Sequence, residues 1–377
     1  MLIVAAILAI FVYGVVAAML GTLMPTFTFL SMEQKGTVAL AQAVGLIIAS
    51  ISVGPLIDNK GKKTGLVLGL ALIAIALWAL PSAGAFVPIL ALLLLLGLGG
   101  GIIVTAANTL VSDISPERRG SVMNFLNLFF GLGGLATPFI AANVVDRDPV
   151  RLCYLAAGLT TVTLVVHIAT KMPPPSGERG FKFSEASDVL GKPTLYLLAL
   201  FLFLYVAAEV GVWNWLASYL IGQGIPEPRA LNILSLGFAL GMLVGRVAVS
   251  PVLMKVRPAT VTLGAAVLMA ITTYLMLQSN DPTLAGVAVF CAGLAMAPVF
   301  PTTLAMVGDA FPKGTATAMG IVITCGWIGL AVSSPIIGGI AGAGSANLKT
   351  ALLVLPAVSV MMIAVNLVLR PMLKKAA

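Results

Sequence analysis

The chain alternates long apolar runs with short breaks of charged and turn-forming residues. Marking the runs by those breaks predicts twelve segments: 2–30, 37–57, 64–82, 86–112, 120–145, 149–170, 193–222, 229–255, 258–278, 282–308, 314–342 and 346–370. Each is about 20 residues or longer, enough to cross ~30 Å of hydrocarbon as a helix. A membrane β-barrel alternates apolar and polar positions in strands of about 10 residues. These runs are continuous, so the pattern predicts helices.

Composition agrees. Across 377 residues, 60% are apolar and 9% are charged. A soluble domain carries about 25% charged residues, so this chain cannot wet a soluble surface of its size. A soluble enzyme, a nucleic-acid module and a secreted disulfide scaffold are excluded. The net charge of +8 reads as a topology signal rather than a nucleic-acid footprint, because the basic residues sit between apolar runs. Cys153, Cys291 and Cys325 all lie inside such runs. They read as packing residues, with no metal or disulfide spacing. The stretch from Met1 to Leu30 lacks the basic start of a signal peptide and is expected to be a retained first span.

The breaks are asymmetric. Lys60, Lys62, Lys63, Arg118, Arg119, Lys171, Arg179, Lys182, Lys192, Lys255, Arg257, Lys313, Arg370, Lys374 and Lys375 fall on one side. Lys35, Arg147, Arg151, Arg229 and Lys349 fall on the other. The positive-inside rule puts the richer side in the cytoplasm, with both termini there and the chain in the cell (inner or plasma) membrane. The longest break, rich in Pro and charge, lies at the midpoint. It predicts a six-helix bundle over 1–172, a cytoplasmic linker over 173–192 and a second six-helix bundle over 193–377. An offset of 196 positions aligns Gly97-Leu98 with Gly293-Leu294, Asp113 with Asp309, Pro116 with Pro312, Met123 with Met319 and Gly133 with Gly329. Duplicated membrane halves point to a transporter that binds its substrate between them.

The break after the second span reads Gly54-Pro-Leu-Ile-Asp58-Asn-Lys-Gly61-Lys62-Lys63. It resembles the loop motif of the major facilitator superfamily, except that Asn59 stands where the family usually has Arg or Lys. That resemblance covers the whole chain. It implies an all-α integral membrane protein whose twelve transmembrane helices form two pseudo-symmetric six-helix bundles. Gly54, Asp58, Gly61, Lys62, Lys63, Arg118 and Arg119 then form a cytoplasmic gate. The segments from Asn108 to Gly131 and from Tyr205 to Tyr219 are similar to the fucose–proton symporter-like sugar transporters, which implies a sugar substrate. This chain lacks the acidic residues that the symporters carry in spans one and four.

Among the carboxylates, Glu209 alone falls mid-span. Intramembrane ionisable groups are costly and mark functional sites by default, so Glu209 is expected to bind substrate hydroxyls or couple a cation. Tyr205 and Trp213 flank it at i−4 and i+4, on one helical face, and suit the apolar faces and polar rims of a sugar ring. Asn108 and Asn127 on spans four and five, and Thr324 and Trp327 on span eleven, are further substrate candidates. Gly101, Ser112, Gly131 and Gly134 read as helix-packing positions. Arg246 is the second charge inside a span. At 1.5 Å per residue its height differs from that of Glu209 by about 11 Å, so it is expected at the cytoplasmic gate, bonding Asp309 or helix-end carbonyls. Pro298 and Pro301 are expected to break span ten.

These readings predict a monomeric secondary transporter of a small polar solute, a sugar, driven by alternating access. Its other expected partners are membrane lipids and a coupling proton or sodium ion. An exporter of drugs, lipids or other amphiphiles on the same fold is the alternative. One His and one mid-span acid do not make a catalytic cluster, no nucleotide-binding loop occurs, and no cofactor, metal or nucleic acid is expected.

Overall fold

The computed structural model describes residues 2–114, 119–172, 189–253, 255–279, 281–311, 315–342 and 347–376. Within these, the side chains of 54, 55, 58, 112–114, 119–125, 250, 315–317 and 374–376 are not described. Pro116, Arg118, Arg179, Lys182, Pro312, Lys313 and most of the expected linker lie outside the described residues.

Among the described residues, twelve helices are long and apolar enough to span a membrane. We number them α1 (Leu2–Leu23), α2 (Met32–Lys60), α3 (Lys62–Ala79), α4 (Phe86–Ile114), α5 (Arg119–Asn143) and α6 (Pro149–Ala169). The second six are α7 (Pro193–Gly222), α8 (Glu227–Leu253), α9 (Pro258–Met276), α10 (Pro282–Ala310), α11 (Thr315–Ala341) and α12 (Leu348–Leu373). No strand occurs among the described residues. In hydrocarbon every backbone amide must bond within its own segment, and helices achieve this. Their outward faces carry Val87, Val162, Val247 and Ile51, each more than 60% exposed.

Local chemistry sets the helix ends. Ser31 and Gln34 form a reciprocal capping box, which starts α2 five residues earlier than the apolar run suggests. Asp148 and Asp281 cap α6 and α10, each followed by a Pro at the first helical position. Gly61 both ends α2 and begins α3 at φ 85, a conformation that only glycine adopts without strain. The α10 helix breaks between Met296 and Val299, at Pro298 as expected, whereas Pro301 sits in the first turn of the helix that follows and does not break it. The π-helical stretch Ile233–Ala239 in α8 has no counterpart in the sequence reading.

The first six helices pack through α2–α4, α1–α5, α3–α4 and α3–α6, and the last six through α7–α11, α9–α12, α7–α12 and α8–α10. Glycines reproduce the 196-residue repeat in space. In the first half, Gly97 sits against the Gln42 carbonyl and the Leu46 amide. In the second, Gly293 sits against the Phe238 carbonyl and the Met242 amide, each partner displaced by the same offset. Gly45 against Leu94 and Gly241 against Phe290 complete the correspondence. These backbone contacts exclude a Cβ, as expected where membrane helices approach closely.

The halves meet through α2–α11, α5–α8 and α1–α7. The close backbone approaches among them lie at the end remote from Gly61. There Gly36 lies against Ser334 and Pro335, Gly338 against Met32, and Gly21 against the Trp213 carbonyl. Among the described residues, the hydrogen bonds between halves all join α5 to α8. They are Asn143 with Asn232, Ser235 Oγ to the Leu135 carbonyl at 2.6 Å, and Arg246 Nη1 to the Asn127 carbonyl at 3.0 Å.

Candidate functional site between the halves

Glu209 lies midway along α7, where it keeps some accessible surface. The Tyr205 hydroxyl and the Trp213 indole, one turn either side, face its carboxyl group. Tyr205 is fully buried, and its hydroxyl reaches no partner at hydrogen-bond geometry. The Glu209 charge also acts on the hydroxyl of Tyr13 in α1, and the Arg246 charge acts on both Glu209 and Tyr205.

Aromatic rings wall this group. Tyr13 packs on Phe130 of α5 at 5.2 Å between centroids, and Trp213 meets Phe238 of the π-helical stretch edge-on at 5.1 Å. Gly134 lets the Trp213 ring approach α5, and Gly100 gives Tyr13 its place against α4. The cluster thus draws on α1 and α5 from one half and α7 and α8 from the other. It combines a carboxylate, two phenols, an indole and a guanidinium within aromatic walls. Such a set can hold a ring-shaped solute by stacking and hydrogen bonds. Among the described residues, no group of three or more His, Cys, Asp or Glu could hold a metal.

Other candidates lie elsewhere or bond differently. Asn108 returns its amide to the Val104 carbonyl, and Thr324 its hydroxyl to Gly320, each within its own helix. Trp327 packs against the hydrophobic core. None of the three has a described bond, ring contact or electrostatic contact with the Glu209 group. The Asn127 side chain is exposed, and it is the backbone carbonyl of that residue that bonds.

Arg246 requires a correction. It donates to the Asn127 carbonyl of the opposite half, not to Asp309. That acid is exposed at the end of α10 and has no ion pair among the described residues. No ion pair joins Arg246 to Glu209 among the described residues, in keeping with the expected difference in height. Tyr13 was missed because nothing in its own segment is charged. Only the fold sets it against an acid 196 positions away.

At the Gly61 hairpin, Lys63 Nζ donates to the Ile168 carbonyl near the end of α6 at 2.7 Å, and Lys62 is buried. Gly54 and Asp58 lie in the last turns of α2 and Arg119 opens α5. The side chains of Asp58 and Arg119, and all of Arg118, lie outside the described residues.

The Major Facilitator Superfamily model matches residues 2–255 and again 225–376. Bypass of stop codon protein 6 of Saccharomyces cerevisiae is 23% identical over 371 residues, covering 87% of this chain and 74% of that protein. The 4-hydroxybenzoate transporter PcaK of Pseudomonas aeruginosa is 31% identical over 173 residues, 44% of this chain and 38% of its own. Among solved structures, the nucleoside transporter NupG superposes with a TM-score of 0.83 at 14% identity, covering 98% of both chains. The Escherichia coli fucose:proton symporter superposes with a TM-score of 0.67 at 19% identity, covering 97% of this chain and 98% of the other. The chain belongs to the Major Facilitator Superfamily, as a twelve-helix membrane transporter of small solutes.

Proposed function

We propose that the protein carries a sugar, or a closely sugar-like hydroxylated ring, by alternating access at the Glu209 site. The two bodies are 1–172 and 193–377, rocking about a cytoplasmic linker at 173–192. The observation that carries this reading is the Glu209–Tyr205–Trp213–Tyr13 group, which pairs hydrogen-bonding rims with ring faces at the meeting of the halves. Glu209 serves as the binding or coupling acid, because a mid-membrane carboxyl group exchanges a cation readily with little else to compete. A proton or sodium ion is its partner in that exchange. Asn127 stays in the proposed site through its accessible amide, and Asn108, Thr324 and Trp327 line the route toward it.

The excess of Lys and Arg on the Gly61 side supports an orientation with both termini in the cytoplasm of a cell membrane. The close backbone approaches at the opposite end then support an inward-facing reading of this arrangement. The hairpin of Gly54, Asp58, Gly61, Lys62 and Lys63, with Arg118 and Arg119, acts as the cytoplasmic gate. The test is a thermal-shift screen of sugars on purified protein, followed by uptake into proteoliposomes. A stabilising sugar should accumulate against its gradient, and Glu209→Gln should abolish that accumulation. Unchanged accumulation by Glu209→Gln overturns the role of Glu209, and the absence of any stabilising sugar overturns the substrate class.

A further inference from the structure

A groove of about 670 Å³ runs between α3 and α6. Neither helix belongs to the α2–α11, α5–α8 and α1–α7 pairs that join the halves. The volume is within the ~300–1,000 Å³ of ordinary ligand sites. Ala71, Ala74, Ile75 and Trp78 of α3 line it with Thr161 and Leu164 of α6. The two polar side chains in this wall bond each other. Trp78 Nε1 donates to Thr161 Oγ1 at 3.2 Å, and that hydroxyl donates to the Ala157 carbonyl at 2.8 Å. What the wall still offers is apolar, which suits a hydrocarbon chain rather than a polar solute.

Gly158 continues the groove toward the end remote from Gly61. A Cβ there would meet nothing within 4 Å. One turn further out, the Tyr154 ring lies against that of Trp78, with centroids 5.4 Å apart. Arg151, Tyr154, Gly158 and Thr161 are three or four residues apart and so share one stripe of α6. From Arg151 to Leu164 the helix rises about 20 Å. One leaflet is ~15 Å of hydrocarbon, half of a ~30 Å core, so the stripe runs from headgroup level to mid-membrane. At its outer end stand charges that cancel. Arg151 Nε pairs with Asp148 Oδ2 at 3.2 Å, and its Nη1 with Asp146 Oδ2 at 4.0 Å. Asp148 also caps α6, whereas the Asp146 side chain is 89% exposed. With Arg147 the group has two acids and two bases. A headgroup with a phosphate alone would meet Asp146, and one with an ammonium alone would meet Arg151. A headgroup bearing both charges matches both.

We propose that the α3–α6 groove binds one phospholipid of the leaflet at the end remote from Gly61. An acyl chain lies along Tyr154, Gly158 and Thr161. The headgroup is zwitterionic, its phosphate on Arg151 and its ammonium on Asp146. Hydrocarbon is the medium that reaches this face, because α3 and α6 are membrane-spanning helices. The site depends neither on Glu209 nor on the identity of the transported solute.

The test is quenching of tryptophan fluorescence by lipids brominated on the acyl chain. The full chain is held in nanodiscs of equal parts phosphatidylethanolamine and phosphatidylglycerol, with one or the other brominated. The share of Trp78 is the difference between the parent and Trp78→Phe. Phosphatidylethanolamine should quench it about fivefold more than phosphatidylglycerol, the effect of one charge at a membrane surface. Asp146→Asn removes the carboxylate that turns away the anionic lipid and should bring the ratio toward one. Gly158→Phe fills the place of the acyl chain and should do the same. A ratio of one in the parent overturns the proposal, as does a ratio that either substitution leaves unchanged. Should Gly158→Phe fail to fold, the exposed and isosteric Asp146→Asn decides alone. Weak quenching of Trp78 by both lipids in a protein that elutes as a dimer would show that a second copy covers the groove, and would overturn the proposal too.

Discussion

Asn143 and Asn232 exchange hydrogen bonds across the two halves: Asn143 Nδ2 donates to Asn232 Oδ1 at 2.7 Å, and Asn232 Nδ2 donates back to Asn143 Oδ1 at 3.2 Å. The pair closes the end of the interface farthest from Gly61. Interhelical polar pairs in membranes are worth about 0.6 kcal/mol on average, enough to bias an equilibrium between two arrangements without locking it.

Cross-linking this pair should therefore stop transport. With Asn143→Cys and Asn232→Cys in a background lacking native cysteines, a short bifunctional thiol reagent should abolish uptake of the sugar found by screening. Cleavage of the linker should restore it. Full uptake by the cross-linked protein would show that this end need not open.

The repeated glycines predict paired costs. A Cβ at Gly97 would overlap the Gln42 carbonyl, and one at Gly293 the Phe238 carbonyl. Forcing packed helices apart costs about 1–3 kcal/mol. Gly97→Ala and Gly293→Ala should each lower the apparent Tm by several degrees and by similar amounts. Gly158→Ala, with open space at the Cβ position, should leave the Tm equal or higher, because alanine favours the helix by up to ~1 kcal/mol. Thermal denaturation followed by size-exclusion chromatography checks all three.

Tyr13 gives a test of the site itself. A Cβ at Gly100 would lie 2.6 Å from Tyr13 Cε2, so Gly100→Ala must push the ring away from its seat. We expect Gly100→Ala to raise the Kd of the bound sugar about tenfold, or ~1.4 kcal/mol. Tyr13→Phe keeps the ring and removes one hydrogen bond, worth about 1 kcal/mol, for a rise of roughly fivefold. Titration by intrinsic tryptophan fluorescence measures both. An unchanged Kd in Tyr13→Ala would remove Tyr13 from the site.

Much of this architecture is legible in the chain alone. Apolar runs must be helices in hydrocarbon because no other open structure satisfies the backbone there, and this defines the spans. The internal repeat is visible in the rarer pairs Asp113 with Asp309 and Pro116 with Pro312, and the fold adds that Gly97 and Gly293 sit at equivalent close contacts. Glu209 stands out because a charge in a span is expensive. Helix starts were less legible, since the Ser31–Gln34 capping box acts through local hydrogen bonds that carry no apolar signal.

What surrounds Glu209 was decided only by the tertiary structure. Tyr13 and Phe130 read as ordinary apolar positions in their own helices, and Asn127 contributes a backbone carbonyl that every residue possesses. Of the two partners expected for Arg246, Asp309 or a helix-end carbonyl, the fold supplies a backbone carbonyl, but one inside α5 of the opposite half, which no pattern in its own helix could indicate. Hydrophobic patterning is imposed by the bilayer on each helix separately, so sequence alone reveals it. A site between two halves depends on how twelve helices pack, and that relation appears only when the chain is folded.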